Sequence, residues 1–301
     1  MLWFKNLKVF RLVPDWTCTA DALAASLQSE QFSPADSHAA ISSGWVAAAP
    51  HDERLAYGVG GQILCSYRTE KKLLPASVVN QFVKARAIEL EEQQGFKPGR
   101  KQMRDLKVEV TESLLPRAFS IQRDTRVWID PAQHWLVIDT ASATKAEEIL
   151  SALGKVLYPF PVEPLQVRIS PATAMTEWAL QGQGPALLSI DQDAELKAGN
   201  DQGGAIRYVK HSLDLEEVQK HVRAGKQCTR LAMTYQDRIS FVLNEQLDLK
   251  RVSPLDILDQ PDQENSRDET ETFDSDFALM CAEYRQLLAY LTGELDEIRK
   301  H

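Results

Sequence analysis

The stretch that decides the fold is Thr125-Arg-Val-Trp-Ile129, Asp130-Pro-Ala-Gln-His134 and Trp135-Leu-Val-Ile-Asp139. Two runs rich in β-branched and aromatic residues flank a short segment that begins with Asp-Pro, and this pattern predicts a strand hairpin. From Ala143 to Leu157, apolar residues recur at helical spacing and predict a helix, which three prolines between positions 158 and 164 bring to an end. A strand hairpin followed by an amphipathic helix favours the α+β class.

The elements outside this stretch are predicted from alternation, helical spacing and capping residues. Strands are expected over 6–12, 45–48, 61–67, 205–209, 228–235, 239–243 and 249–252. Helices are expected over Thr19–Ser29, 173–180, 214–225 and 273–298, with an acidic loop over 256–271. We expect these strands to form mixed or antiparallel sheets.

A pair of helices is predicted between the strands of the first half. Pro75 begins one helix, which runs to about Gln94, and Gly95–Gly99 separates it from a second helix over Lys101–Leu115. The pair has few apolar positions, so we expect it to project from the body or to dock on a partner. This hairpin, 75–116, is predicted to be a tip domain, with residues 1–74 plus 117–170 as a central domain and 171–301 as a base domain.

Charge is distributed unevenly along the 301 residues. The chain is 44% hydrophobic, which is ordinary for a globular protein, and carries a formal net charge of −9. From Lys71 to Arg126 there are twelve Lys or Arg against seven Asp or Glu, whereas from Arg251 to His301 there are five against thirteen. A basic middle beside an acidic tail suits a protein that binds a polyanion on one surface.

Sequence signatures of several protein classes are missing. There is no apolar run of transmembrane length and no signal-peptide pattern, so we expect a cytoplasmic protein without a membrane partner. Phosphate loops, dinucleotide fingerprints, nucleophile elbows and zinc-binding histidine pairs are also missing. We therefore expect no catalytic residue, cofactor or bound metal, and a protein that is not an enzyme.

Two alternatives stay open at this point. Asp130, Asp139 and Lys145 could hold Mg²⁺ and assist phosphodiester cleavage, which would make the protein a metal-dependent nuclease. In the structural interpretation, Asp130 begins a turn, Asp139 ends a strand and Lys145 is solvated. The other alternative is an interaction scaffold in which the acidic tail is the functional part.

Two groups of residues are candidates for binding DNA. Arg117, Phe119 and Arg123 follow the basic helices and combine phosphate-binding cations with an aromatic side chain that could wedge against DNA, unless Phe119 is a core residue. Arg207 alternates with neighbours along a predicted strand, and Lys210 and His211 follow at its exit. They would lie on a basic face or would protect the edge of a sheet.

The chain resembles the RdgC family of bacterial recombination-associated proteins, and the resemblance runs nearly end to end. It rests on Met1-Leu-Trp-Phe-Lys-Asn-Leu7, Gly44-Trp-Val46, Ser113-Leu-Leu-Pro-Arg-Ala-Phe-Ser120, Trp128-Ile-Asp130, Ala141-Ser-Ala143, Thr176-Glu-Trp178, Asp193-Ala-Glu-Leu-Lys197, Gly203-Gly204, Ala224-Gly-Lys226 and Phe273-Asp-Ser-Asp-Phe277.

This resemblance implies a horseshoe-shaped protomer that closes with a second copy into a ring, and a basic hole that encircles double-stranded DNA without reading its sequence. It also implies a nucleoid-associated protein that limits access of the RecA recombinase to DNA. Arg117 and Phe119 match the family's DNA-contacting finger, and Lys210 matches a basic residue of the hole. His211 stands where the family often has glutamine, so no role is carried over to it.

Overall fold

The computed structural model describes residues 2–36, 39–199, 204–211, 213–255 and 268–299. Its strands are β1 (Asn6–Leu12), β2 (Ile41–Val46), β3 (Ala56–Val59), β4 (Gln62–Lys72), β5 (Ser120–Asp130), β6 (Trp135–Asp139), β7 (Val162–Pro164), β8 (Leu188–Ala198), β9 (Ala205–Tyr208), β10 (Lys226–Tyr235), β11 (Ile239–Asn244) and β12 (Leu249–Pro254). Its α-helices are α1 (Ala20–Leu27), α2 (Ala76–Gln94), α3 (Arg100–Leu114), α4 (Ala143–Val156), α5 (Pro171–Gln181), α6 (Leu215–Arg223) and α7 (Glu269–Glu294). The chain is therefore an α+β protein, as predicted.

All of these strands belong to one open sheet with the order β2-β4-β5-β6-β1-β12-β11-β10-β8-β9, to which β3 adds beside β4 and β7 beside β1. Each pairing between these strands is antiparallel, so the mixed arrangement that we also expected is not formed. The predicted hairpin is β5–β6, with Val127 opposite Ile138. Because β1 pairs with both β6 and β12, the sheet continues from the first half of the chain into the second.

Both faces of the first half of the sheet are covered by helices. Val127 and Ile129 pack with residues of α1 and α4, whereas Trp128 between them packs on the opposite face, in the same core as α7. Alternation therefore buries the end of β5, Val127–Asp130, on both faces, which explains the apolar run Val127-Trp-Ile129. Thr19 and Ser142 cap α1 and α4 by accepting hydrogen bonds from backbone amides of the first turn.

The second half of the sheet is covered on one face. Leu231 and Met233 of β10 and Phe241 of β11 pack in the core that contains α5, α6 and α7. The other described helices pack elsewhere, α1 and α4 on the first half and α2 with α3. None of the described helices therefore covers the opposite face of β8, β9, β10 and β11.

The predicted helical hairpin is formed by α2 and α3, which pack mainly on each other. Gly95 ends α2 in the left-handed conformation that a glycine adopts without strain, with φ +79°. The hairpin has only a small core, centred on Val79, Val83 and Val110. Its large exposed apolar side chains are Phe82, Ile88, Phe96 and Val108.

Some elements differ from the prediction. Strand β8 had no counterpart in it, and β5 begins at Ser120 rather than at Thr125. Helix α7 begins at Glu269 rather than at Phe273, because carboxylates in a first turn stabilise a helix N-terminus. It ends at Glu294, before the predicted end at residue 298. The predicted acidic loop is therefore helical from Glu269 onwards, while its residues 256–267 lie outside the described residues.

The division into central, tip and base domains stays a prediction, although one core contains residues of both halves, such as Trp128 and Leu231. In the described part of the chain, each helix is too short or too polar to cross a lipid bilayer.

Candidate nucleic-acid interface

Cations from several strands converge on the uncovered face of the sheet. The strands place them there because their neighbours, such as Leu196 and Leu231, alternate into the core on the other side. The cations are Lys197 of β8, Arg207 of β9, Arg230 of β10 and Arg251 of β12. Lys210 follows β9 and lines the same face, in an open depression of about 550 Å³ that Arg251 also lines.

Glu195 lies at the centre of three of these cations. Its carboxylate is 3.8 Å from Arg230 Nε, 2.9 Å from Lys197 Nζ and 2.5 Å from Arg207 Nε. Burial of the carboxyl group opposes its ionisation, but the bonds from Lys197 and Arg207 and the charge of Arg230 outweigh this effect and lower the pKa of Glu195 to about 2. The carboxylate is almost fully buried, whereas the three cations reach solvent.

Asp193 is a second carboxylate on the same strand and contacts the Arg251 side chain and the Lys210 backbone. Its Oδ1 accepts a hydrogen bond of 2.8 Å from the backbone amide of Lys210, and its Oδ2 lies 3.2 Å from Arg251 Nη2. Both Lys210 and Arg251 have positive φ, +50° and +52°, which is uncommon for residues other than glycine. Such backbone strain concentrates at functional sites.

His211, another predicted site residue, is exposed next to Lys210, and its backbone amide donates to the Gln192 carbonyl at 3.2 Å.

The second predicted group lies where the helical hairpin returns to the sheet. Arg117 is exposed in the short turn Leu115–Arg117 that ends α3. Phe119 is 85% exposed, while its carbonyl accepts a 2.6 Å hydrogen bond from the amide of Leu73. The backbone is therefore held against β4 while the ring points into solvent, so Phe119 is not a core residue. Arg123 is exposed on β5, opposite Thr69 of β4.

The structure does not bring the two groups together. Seven strand spacings separate β5 from β9 in the sheet order, which corresponds to about 34 Å along the sheet. Arg207, Lys210 and His211 are therefore neighbours, while Arg117, Phe119 and Arg123 form a separate group.

Sequence reasoning missed Lys197 and Arg251 as members of the face. Arg251 lies in a strand that was predicted, but a register shift between β11 and β12 occurs there, so alternation from the core residue Leu249 would have placed Arg251 inside. Lys197 could have been found, because apolar and polar residues alternate over 188–197 and place Lys197 in the polar row.

The carboxylates of the alternative nuclease site are used for other contacts. Asp130 is fully buried, forms an ion pair with Arg285, and accepts hydrogen bonds from Gln62 Nε2 at 3.3 Å and from the amides of Ala132 and Gln133 at 3.1 Å each. This arrangement satisfies the carboxylate without a metal ion.

Asp139 lies far from Asp130. Asp130 pairs with Trp135, and Asp139 lies four residues further along β6, about 13 Å away. Asp139 Oδ1 accepts hydrogen bonds from the amides of Lys5 and Asn6 at 3.0 and 2.9 Å. Burial raises the pKa of Asp139 although these bonds oppose the shift.

Lys145 also has protein partners. Its Nζ donates to Thr69 Oγ1 at 2.7 Å and to Glu148 Oε2 at 2.6 Å. The three residues of the alternative site are therefore not assembled around a shared position. Within the described residues, no three His, Cys, Asp or Glu side chains are grouped to hold a metal ion.

Comparison with known proteins identifies the family. A family model described as "Putative exonuclease, RdgC" matches residues 2–298. Proteins named recombination-associated protein RdgC are 51% identical in Bordetella parapertussis, over 98% of this chain and 98% of the relative, and 50% identical in Cupriavidus necator, over 99% and 100%. A third, from a Janthinobacterium species, is 48% identical over 98% of both chains. The chain belongs to the RdgC family of recombination-associated proteins.

Proposed function

We propose that this protein binds double-stranded DNA without reading its sequence. The observation that carries the proposal is the open sheet face on which β8, β9, β10 and β12 each place a cation. Lys and Arg side chains that meet phosphates release counterions and carry no base information. The formal charge of −9 does not oppose this, because binding depends on the local charge of a surface and five cations share this face.

The loop that contains Arg117 and Phe119 supplies a second contact. An exposed aromatic ring next to exposed arginines can press against a base step while the cations neutralise the adjacent phosphates. With Phe119 85% exposed and its carbonyl bonded to the Leu73 amide next to β4, the ring is available and its backbone is anchored. Arg123 extends the positive charge along β5.

Two copies of the chain close into a ring around the duplex in this proposal. The projecting hairpin exposes four large apolar side chains, which is unfavourable unless another surface covers them. A second copy is a suitable partner, since two-fold interfaces are self-complementary. The horseshoe-shaped protomer, and a contact through α7 on the other side of the ring, belong to the same proposal.

The biological consequence would be control of recombination. The relatives named above are recombination-associated proteins. A protein that encloses duplex DNA obstructs other proteins on the same duplex, and we propose that it limits access of the RecA recombinase in the nucleoid. The protein would do this as a DNA-binding protein and not as an enzyme.

The test is binding to circular and linear duplexes of the same sequence, at two salt concentrations and with Mg²⁺ present. We expect intact, retarded DNA, weaker binding at higher salt and slower release from circles than from linear molecules. Degradation of the DNA would support the nuclease alternative. Equal release from both DNA forms would contradict encirclement, and absence of binding would contradict the proposal as a whole.

A further inference from the structure

The carboxylates of β8 are paired with the cations that a bound duplex would need for its phosphates. Glu195 lies beneath Lys197, Arg207 and Arg230, and its carboxylate is 3% exposed while the Arg207 side chain is 65% exposed. A phosphate that approaches this face meets cations whose positive charge is already partly neutralised by a carboxylate, and Arg207 has its Nε bonded to that carboxylate. The phosphate must therefore share these cations with Glu195.

A second carboxylate with a cationic partner lies two residues earlier on the strand. Asp193 holds the Arg251 guanidinium with one oxygen and the Lys210 backbone with the other. Alternate residues of a strand share a face and lie about 6.6 Å apart, so the two carboxylates form a row along β8. Burying a carboxylate costs free energy, which the surrounding cations offset. A surface selected only for tight phosphate binding would not include this row.

We propose that Asp193 and Glu195 act as internal competitors of DNA phosphate, so that they orient the cations of the face and limit their affinity for the duplex. The inference rests on the proposed function and assigns the regulation of its binding surface. Limited affinity lets a protein move along DNA, since each phosphate contact is exchanged easily for an internal one. In an encircling protein, the closed ring and not the strength of the contacts would then retain the DNA.

The test uses Glu195→Gln and Asp193→Asn in the full chain, with binding to a linear duplex measured by fluorescence anisotropy over a series of salt concentrations. Glutamine and asparagine keep a hydrogen-bond acceptor for Arg207 and for the Lys210 amide but remove the competing charge. We expect several-fold tighter binding and a steeper salt dependence, with about 0.9 added to the slope of log K against log salt for each additional phosphate contact.

The matched control is Glu147→Gln, which removes the same charge from an exposed position on α4. It should leave the slope unchanged, because Glu147 is remote from the cations. Melting temperatures of all variants separate folding from binding, and Asp193→Asn tests the inference independently if Glu195→Gln folds poorly. Folded variants that bind no tighter than the wild type, or no tighter than the control, would overturn the inference.

The outcomes separate this inference from the proposed function. A wild type that binds DNA together with variants that do not bind more tightly would leave the proposed function standing and remove the inference. Absence of binding by the wild type and by both variants would overturn both.

Discussion

Asp130 is fully buried, and the Arg285 guanidinium faces both of its carboxylate oxygens from a helix 155 positions later in the chain. From the sequence, Asp130 could be recognised as a carboxylate at the start of a turn, and it could equally be a metal ligand. Its partner could not be recognised, because nothing local to either residue marks a contact over that separation. The tertiary contact decides between the structural and the catalytic interpretation.

Removing Arg285 should therefore destabilise the fold. In Arg285→Met, Asp130 would remain as a buried carboxylate without its counter-charge, which costs about 3–5 kcal/mol. The pKa of Arg285 is raised by its hydrogen bond to Asp130, as expected for a cation held in its charged form. Urea unfolding, followed by circular dichroism, measures the change in the free energy of unfolding.

Two further variants make this measurement specific. Arg285→Lys should restore only part of the stability, because an ammonium group cannot contact both oxygens as a planar guanidinium does. Arg86→Met removes an arginine whose pair with Glu89 is exposed, and it should cost no more than about 1 kcal/mol. Equal losses for Arg285→Met and Arg86→Met would contradict the assignment of Asp130 to this buried pair.

Phe119 should contribute to DNA binding and not to stability. With 85% of its side chain in solvent, Phe119→Ala removes few packing contacts and should change the free energy of unfolding by less than about 0.5 kcal/mol. Loss of a ring that presses on a base step should weaken duplex binding by about 1–3 kcal/mol if the contact resembles base–aromatic stacking. Fluorescence anisotropy with a linear duplex measures the affinity, and thermal melting measures the stability. An unchanged affinity would mean that Phe119 does not contribute to DNA binding.

At the scale of elements, the apolar pattern predicted β5, β6, α4 and the helical hairpin, each of which has a self-contained signal. Strand β8 was missed although its apolar residues, such as Leu188, Ile190 and Leu196, alternate with a polar row that includes Asp191, Asp193 and Glu195. Gln192 interrupts the apolar row. Its edges are irregular too, since the register with β10 shifts between Cys228 and Arg230. Arg207 and Arg230, which compensate the charge of Glu195, lie on other strands. The sequence of β8 alone therefore does not show why the strand accommodates these acids.

The helical hairpin carries the prediction that belongs to this scale. Ile88→Asp and Phe96→Asp place a charge at positions that are 60% and 61% exposed in the protomer. If a second copy covers these residues, a buried unpaired carboxylate should weaken self-association strongly while the protomer stays folded. Sedimentation equilibrium measures the association, and thermal melting at low concentration measures folding.

A control outside the hairpin separates association from general surface effects. Tyr158 is 98% exposed in the segment after α4, and Tyr158→Asp should leave the association constant unchanged. Loss of association in all three variants would point to a nonspecific effect of the added charge. Unchanged association in Ile88→Asp and Phe96→Asp would exclude the hairpin as the contact between copies.

At the scale of the whole molecule, the sequence located the positive charge only roughly. The excess of Lys and Arg between Lys71 and Arg126 identified the hairpin and its exit, which hold Arg117. The cations of the open face come from four strands spread between Lys197 and Arg251, and no window of the sequence contains them together without their acids. Only the strand order assembles them. Lys210 was predicted because it follows Arg207 closely in the chain, whereas Arg251 lies on a separate strand much later in the sequence.

The separation of the two groups leads to a prediction about how their contributions combine. Arg117 precedes β5 and Lys210 follows β9, seven strand spacings or about 34 Å away along the sheet, so Arg117→Ala and Lys210→Ala should weaken DNA binding independently. The free-energy losses in the double variant should equal the sum of the single losses within about 0.5 kcal/mol. Each single variant should reduce the slope of log K against log salt by about one, and the double variant by about two. Anisotropy titrations on duplexes of unrelated sequence measure both quantities.

A loss confined to one sequence would contradict backbone binding, whereas a double variant no weaker than Lys210→Ala would mean that the two groups do not hold the same duplex at the same time.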